Sequence, residues 1–543
     1  MGARRTHVHA KGPARRLTAV LLAAGIGALS PGVTAPLALA QPSIPADEGG
    51  HYAEPPSVDG GMFPAASDQP DKNYVQEIGC VRRAELDDNV VLPNKPWGQQ
   101  YLRIEEAQKL ARSATGGYAG KYSSGEPVKV AVIDTGVTPH PFFQGRVEAG
   151  ADYVKNVPPG PGLEDCDGHG TEVAGIIAAN PTNPEIGFTG VAPDSTIVSI
   201  RQSSQNYKPA QEDTAQSNDA EDPPAGDSEK PGDGGGGQPG GGADRLIAPG
   251  TGPAQDSPGR QQGEADAAGT VDTLAQAVAF AAKVSGVKVI NISINNCRAA
   301  NGIITDPEKR LQAAVSDAYL RDIVVVAAAG NTGDTCKQNN QLDPKVPQSI
   351  VTPPWFADHV LSVAAIDQTG GVADFSVHGP WVSVAAPGTD IISLDPAKDS
   401  DKLANRTVEG NGEPTPIQGT SFAAPYVSGV VALVRAKFPD LNAEAVINRI
   451  KSTAQHPAAP GGRDNFVGHG VINPVAALTA TVPEEEGMAA AQPVQLPSDL
   501  PPTHEGDQTP MIVAFAGAGG GLVALGITLF VIHTIRRNRP EPT

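Results

Sequence analysis

The chain has 543 residues, of which 62 are Gly and 51 are Pro, and its formal net charge is −20. The lack of a Gly-X-Y period excludes collagen, and so acidic a balance argues against a protein that binds nucleic acid. Three segments account for the whole net charge: residues 41–98 with 10 acidic and 4 basic side chains, residues 202–269 with 12 and 4, and residues 481–510 with 6 and none. The remainder is neutral overall and is long enough for a large folded core.

Residues 1–40 have the pattern of a secretory signal peptide. Five basic residues lie between positions 4 and 16, an apolar run occupies 17–29, and Ala38 and Ala40 provide small residues for cleavage before Gln41. A retained membrane anchor is the alternative, although the run is short for a span. We therefore expect an exported protein that begins with an N-terminal extension over residues 41–98.

From residue 128 onward, strand and helix patterns alternate. Strands are predicted at 128–133, 195–200, 287–294, 323–328, 360–366 and 381–385, and helices at 171–179, 271–284, 307–322, 421–438 and 442–452. Strands rich in Val and Ile that alternate with helices predict an α/β fold, with a mostly parallel sheet covered on both faces. In such a sheet, functional groups gather at the carboxyl ends of the strands.

Residues 202–269 interrupt this pattern. They are rich in Gly, Pro, Gln and Asp and contain almost no apolar residue larger than Ala. Burial cannot repay the entropy of ordering such a segment, so we expect a disordered surface insertion. Residues 481–510 are acidic and contain Pro, which predicts an extended stalk.

Residues 511–533 contain no Asp, Glu, Lys or Arg and are long enough to cross a membrane. Three arginines follow directly, so the positive-inside rule predicts a cytoplasmic tail over 534–543 and an extracytoplasmic location for everything before the span. The alternative is covalent attachment to the cell wall, because residues 500–504 resemble a sortase signal with His504 where Gly is required.

Four cysteines in an exported chain suggest two disulfides, for which three pairings exist. Positions in the chain favour Cys80 with Cys166 and Cys297 with Cys336. No Cys-x-x-Cys spacing supports zinc and no acidic segment has EF-hand spacing, so we expect neither a metal nor a cofactor.

Four polar residues lie at predicted strand and helix ends. Asp134 ends the first strand, His169 lies in an Asp-Gly-His-Gly-Thr window, Asn331 follows Gly330 after a buried strand, and Ser421 opens a long helix. Each alone has an ordinary explanation, such as a turn or a helix N-cap. Together they supply a hydroxyl nucleophile, an imidazole base, a carboxylate to orient that base and an amide donor for an oxyanion.

The order Asp, His, Ser and these four windows resemble the subtilisin-like serine proteases, or subtilases, over residues 99–480 without the insertion. The resemblance implies that Asp134 orients His169, that His169 acts as base and then acid, that Ser421 is the nucleophile, and that Asn331 donates to the oxyanion. It also implies a cleft in which extended substrate pairs with an edge strand. The residues assigned to this cleft are Ser293, Ile294, Asn295 and Gly330, with Asn295 standing where common subtilases have Gly.

The order of segments is similar to that of the mycosins, membrane-anchored subtilases associated with type VII secretion. Two local windows, residues 165–171 and 199–204, match as well. This resemblance implies a single-pass protein of the cell membrane, protein or peptide substrates, and a type VII secretion membrane complex as partner. It also implies that the extension wraps the protease domain and is no cleaved inhibitor. Two other hypotheses stay open: a scaffold with secondary proteolysis, and a degradative surface protease.

Overall fold

The computed structural model describes residues 53–83, 95–155, 160–210, 267–300, 303–340, 346–408, 414–487 and 509–537. The expected signal peptide lies outside these residues, as do positions 211–266 of the insertion, 488–508 of the stalk and 538–543 of the tail. The strands are β1 Tyr74–Gln76, β2 Arg82–Arg83, β3 Lys129–Asp134, β4 Val147–Asp152, β5 Thr196–Arg201, β6 Tyr207–Pro209, β7 Val287–Ile292, β8 Asn296–Ala299, β9 Val324–Ala328, β10 Ser349–Thr352, β11 Val360–Ile366, β12 Val384–Pro387, β13 Ser393–Leu394, β14 Leu403–Ala404, β15 Arg406–Val408 and β16 Thr415–Pro416. The helices are α1 Trp97–Tyr101, α2 Ile104–Thr115, α3 His169–Ala178, α4 Val271–Ala281, α5 Asp306–Leu320, α6 Thr420–Lys437, α7 Ala443–Ser452, α8 Pro474–Thr479 and α9 Thr509–Arg537.

Seven strands form the central sheet, in the order β12-β11-β9-β7-β3-β5-β4. Every neighbouring pair in it is parallel, which confirms the predicted α/β fold. Strands β9 and β11 are buried along their whole length, as expected of Val- and Ile-rich strands covered on both faces. The prediction missed the edge strand β4, whose sequence includes Glu148 and Gly150.

Two separate groups of helices pack on this sheet. Helices α4 and α5 contact each other and strands β3, β7 and β9. Helices α2, α3, α6 and α8 form the second group, in which α6 lies against β7, β9, β11 and β12. Helix α6 is buried from Thr420 to Ala436. This burial on all sides explains why the helix has no continuous polar face.

The described part of the N-terminal extension follows the surface of the domain. Gln312 donates a side-chain hydrogen bond to the Pro56 carbonyl, and the Tyr153 hydroxyl donates to the Ser67 carbonyl. Strand β1 pairs with β6 and strand β2 pairs with β15, both antiparallel. These contacts tie residues 53–83 to four distant parts of the chain.

Both disulfides have the pairing that the sequence favours. Cys80 is joined to Cys166, and Cys297 is joined to Cys336. The first links the extension to the loop that precedes α3, and the second links β8 to the segment that follows β9. Val81 adds a backbone hydrogen bond to the Cys166 carbonyl, 2.8 Å long, beside the first disulfide.

The ends of the predicted insertion are folded, which corrects its boundaries of 202–269. Residues 202–210 and 267–269 belong to the described domain, and Ser204 pairs with Ala268 across the base of the segment. Tyr207 is buried and its ring lies 4.7 Å from the Arg201 guanidinium. Composition averaged over the whole segment concealed these few anchoring residues.

Near the C-terminus, the structure contains one helix, among the described residues, that is long and apolar enough to cross a membrane. It covers Val513–Arg537 within α9, and its described side chains are exposed. The predicted span of 511–533 therefore lies within a helix that continues into the arginine-containing tail.

Two deletions test the corrected boundary. Removing 211–266 should leave the urea denaturation midpoint close to that of the wild type, because the sequence predicts no buried core there. Removing 205–266 should lower it clearly, because β6 and the buried Tyr207 are lost; truncating a buried aromatic alone costs about 3–5 kcal/mol. Equal midpoints for the two deletions would contradict the assignment of β6 to the core.

Candidate active site

Asp134 and His169 meet where the interior strand β3 ends and helix α3 begins. Asp134 is the last residue of β3, and His169 is the first residue of α3. The Nδ1 atom of His169 lies 2.7 Å from Oδ1 of Asp134, and both side chains are buried. When Nδ1–H donates to the carboxylate, Nε2 is left as the basic nitrogen. Among the described residues, nothing hydrogen bonds to this Nε2.

Two glycines allow the end of β3 and the start of α3 to touch. A Cβ on Gly170 would lie 2.0 Å from the backbone oxygen of Gly136, and a Cβ on Gly136 would lie 2.1 Å from the backbone oxygen of Glu164. Gly136 also has a φ of +107°, which residues with side chains rarely adopt. Backbone contact between the two segments therefore requires the glycines that accompany Asp134 and His169.

Ser421 is the second residue of α6, whose N-cap is Gly419. A Cβ on Gly419 would lie 3.0 Å from Oγ of Ser421 and 3.2 Å from Nδ2 of Asn331, so these two polar atoms border one small space. The Ser421 hydroxyl is buried and has no hydrogen-bond partner within the described part of the chain. The Phe422 ring packs against His169 with 4.9 Å between ring centroids, which brings the starts of α6 and α3 together.

Thr420 orients the amide of Asn331. The Oδ1 atom of Asn331 accepts from the Thr420 backbone N–H at 3.0 Å and from the Thr420 hydroxyl at 2.9 Å. The same hydroxyl accepts from the Gly330 N–H at 3.1 Å, which fixes the turn after β9. Because the amide oxygen is engaged, the Nδ2 donor of Asn331 is left beside Ser421, which is compatible with the predicted role as oxyanion donor.

Carboxylates around His169 stabilise its protonated form. Burial would lower the pKa of the imidazole, but the charge and the hydrogen bond of Asp134 oppose that effect. Asp165 and Asp167 act in the same direction as Asp134, and the resulting pKa of His169 lies above its ordinary value. Such an imidazole is the stronger base toward a hydroxyl, once the pH is high enough to deprotonate it.

The residues predicted for substrate pairing lie just beyond β7. Strand β7 ends at Ile292, whereas the predicted strand continued to position 294. Ser293 and Ile294 therefore lie between β7 and β8. Their side chains are fully buried, because the Ser293 hydroxyl donates to the Ser421 backbone oxygen at 2.7 Å and Ile294 packs in the core. Both the pairing of this segment with an extended substrate and a role of Ser293 to Asn295 in substrate binding stay predictions.

Two polar residues behind Ser293 were missed by sequence reasoning. The Asn291 amide donates to the Ser293 hydroxyl at 2.9 Å, and the Ser428 hydroxyl donates to Oδ1 of Asn291 at 2.8 Å. All three side chains are buried. They connect β7 and the residue after it to α6 at two points, the Ser421 backbone oxygen and the Ser428 hydroxyl. The available signal was Asn291, a polar residue near the end of a strand of mostly Val and Ile.

Glu172 is a second residue that sequence reasoning missed. It follows His169 by one turn of α3, is fully buried, and its Oε1 has no hydrogen-bond partner within the described residues. Burial raises its pKa well above the ordinary value, and the nearby Asp165, Asp395 and Asp134 add to this shift. No group of three or more His, Cys, Asp or Glu in the described segments could hold a metal ion.

Comparisons with known proteins show what the chain is similar to. A profile of the subtilase family matches residues 125–470. Mycosin-1 of Mycolicibacterium smegmatis is 36% identical over 498 residues, which cover 90% of this chain and 95% of that protein. The crystal structure of MycP1 from Mycobacterium smegmatis superposes with a TM-score of 0.62 at 36% identity, over 82% of this chain and all of that chain. A chain of the intact ESX-5 inner membrane complex superposes with a TM-score of 0.63 at 36% identity, over 89% of this chain and all of that chain.

Replacing Glu172 by Gln should stabilise the protein increasingly as the pH rises. The unfolded chain loses the Glu172 proton near the ordinary value of 4.5, whereas the folded protein retains it to higher pH. Above that value the wild type should therefore lose stability relative to Glu172→Gln, by up to about 1.4 kcal/mol per pH unit, until the pH reaches the folded-state pKa.

Urea denaturation at about pH 5, 7 and 9 measures this difference. The exposed Glu185→Gln variant is the matched control and should follow the wild-type pH dependence. Parallel curves for the wild type and Glu172→Gln would contradict a folded state in which Glu172 is protonated.

Proposed function

Because this chain belongs to the subtilase family and, within it, to the mycosins, we propose that it hydrolyses peptide bonds with Asp134, His169 and Ser421. It is a serine protease of the subtilase type. The observation that supports the assignment of these residues is the 2.7 Å contact between Asp134 and His169, together with the packing of Phe422, the residue after Ser421, against the His169 ring.

In this mechanism, Oγ of Ser421 attacks the carbonyl carbon of the scissile peptide. Nε2 of His169 takes the hydroxyl proton, while Asp134 holds Nδ1–H and stabilises the imidazolium that forms. The oxyanion accepts hydrogen bonds from Nδ2 of Asn331 and from the Ser421 backbone N–H, one of the first-turn donors that a helix leaves unpaired.

The later steps use the same groups in reverse. His169 returns the proton to the leaving amine, and the C–N bond breaks to leave an acyl ester on Ser421. A water molecule then gives its proton to His169 and attacks the ester carbonyl. The bond from the acyl carbon to Oγ of Ser421 breaks, His169 returns the proton to Oγ, and the acid product leaves. Oxyanion donors of this kind are worth about 3–4 kcal/mol in deletion experiments on other proteases.

We further propose that α9 anchors the protein in the membrane with the protease domain outside and the C-terminus in the cytoplasm. Its length and apolar composition support the anchor. Arg536 and Arg537 at its C-terminal end support this orientation by the positive-inside rule. Substrates would then be exported proteins that present an extended segment.

A type VII secretion membrane complex is the proposed partner. The support is the likeness to a chain in the intact ESX-5 inner membrane complex, of which this chain covers the whole length. That same likeness favours a second function, in which the folded protein stabilises the complex independently of proteolysis.

Replacing Ser421 by Ala should abolish peptide hydrolysis and labelling by a fluorophosphonate while the protein stays folded. The hydroxyl is the proposed nucleophile, and Ala fits the space it occupies. The matched control is Ser452→Ala, which removes an exposed hydroxyl on α7 and should leave labelling unchanged. Labelling that persists in Ser421→Ala would exclude Ser421 as the nucleophile.

The scaffold function is tested by comparing secretion in a Ser421→Ala strain with secretion in a strain that lacks the protein. If the folded chain stabilises the complex, secretion should continue in the first strain and stop in the second. Loss of secretion in both strains would show that hydrolysis itself is required.

A further inference from the structure

The carboxylate of Asp165 connects the backbone segments that carry Asp134 and His169. It lies in the loop before α3 and is buried. Its Oδ1 accepts from the Thr135 hydroxyl and from the Gly168 N–H, both at 2.8 Å. Asp165 lies four residues before His169 in the sequence. Its contact with Thr135 links this loop to the residue that follows Asp134.

The second oxygen of the same carboxylate holds the first turn of α3. Oδ2 of Asp165 accepts from the Thr171 N–H at 2.8 Å and from the Thr171 hydroxyl at 2.6 Å. The carboxylate thereby makes four hydrogen bonds, all of them to donors. It also lies at a helix N-terminus, where the aligned peptide dipoles favour negative charge.

The two threonine hydroxyls carry the connection across to the other segment. Each gives its hydrogen to Asp165 and accepts a backbone N–H: Thr135 accepts from Gly170 at 2.9 Å, and Thr171 accepts from Thr138 at 2.9 Å. The segment 134–138 and the segment 168–171 are thus cross-linked twice, with Asp165 as the shared acceptor.

The connection ends on Asp134 itself. The Thr135 backbone N–H donates to Oδ1 of Asp134 at 2.8 Å, the same oxygen that contacts His169. A shift of Thr135 would therefore move the carboxylate that orients the imidazole.

We infer that Asp165 is a positioning residue for the proposed protease reaction: it sets the distance and orientation between Asp134 and His169 through Thr135 and Thr171. This inference rests on the proposed function. Asn could not replace the carboxylate, because its NH2 group would face a backbone N–H, either that of Thr171 or that of Gly168, and leave it buried without an acceptor.

The negative charge of Asp165 also affects the pKa of His169, which a purely structural residue would not change. The carboxylates that act on His169 are Asp134 on β3, and Asp165 and Asp167 in the loop before α3. Burial raises the pKa of Asp165, while its hydrogen bonds from Thr171 and Thr135 oppose this shift and favour the ionised form. Burial also raises the pKa of Asp167 to about 6, against the charge of Arg201, and the buried Glu172 is influenced by Asp165. Removing the negative charge of Asp165 should lower the pKa of His169, so the neutral, reactive imidazole should persist to lower pH.

The test is the rate at which a fluorophosphonate labels Ser421, measured against pH in the full-length, detergent-solubilised protein. In Asp165→Asn, the plateau rate should fall on the order of 100-fold, because small misplacements of reacting groups cost about that much. The acid limb of the profile should also move to lower pH. An unchanged plateau rate would overturn the inference, whether or not the acid limb moves.

Asp167→Asn is the matched control. Asp167 also acts on His169 through its charge, but it accepts from Ser204 and Gln205, outside the two segments. This variant should shift the acid limb while keeping the plateau rate within several-fold of the wild type. A plateau loss equal to that of Asp165→Asn would assign the effect to charge alone and would contradict positioning.

A second pair of variants covers the case in which Asp165→Asn does not fold. Thr135→Ser keeps the bridging hydroxyl and should keep the labelling rate, whereas Thr135→Val should lose it. Equal rates for Ser and Val would overturn the inference. A wild type that is never labelled at Ser421 would instead refute the proposed function, and the inference with it.

Discussion

Asp134 and His169 hold a carboxylate and an imidazole 2.7 Å apart, almost entirely removed from water. A buried carboxylate is costly unless it is paired and hydrogen bonded. For Asp134 the fold meets this requirement at the junction between the carboxyl end of β3 and the N-terminus of α3. The parallel sheet, the close contact at Gly136 and Gly170, and the threonine bridges all serve to keep these two backbone ends together.

The loop before α3 is also held from outside the catalytic domain. The disulfide of Cys80 with Cys166 and the hydrogen bond from Val81 fasten the extension three residues before His169. Strand β2 of the extension pairs with β15, and β1 pairs with β6 at the base of the acidic insertion. Two of the three acidic segments, the extension and the insertion, therefore attach to the protease next to the loop that precedes the proposed base.

Local sequence patterns predicted much of the sheet and identified the four polar residues of the candidate site. Both kinds of signal, a Val-rich strand and a Gly-flanked His or Ser, depend only on adjacent residues. Features that depend on distant partners were missed. Strand β4 has weak strand character and is defined by pairing with β5, while β1 and β2 exist only through partners more than a hundred residues away. The network around Asp165 was invisible for the same reason, since its hydroxyl partner Thr135 lies 30 positions earlier.

The most direct test of this account is the pKa of His169, measured by NMR titration of its ring in Ser421→Ala and in the same protein with Asp134→Asn. The account predicts titration above the ordinary value of 6.5 in the first protein, because the carboxylates outweigh burial. It predicts a clearly lower pKa in the second, where burial is opposed by less negative charge. A His169 pKa at or below 6.5 that does not respond to Asp134→Asn would contradict the buried pair as the centre of the site.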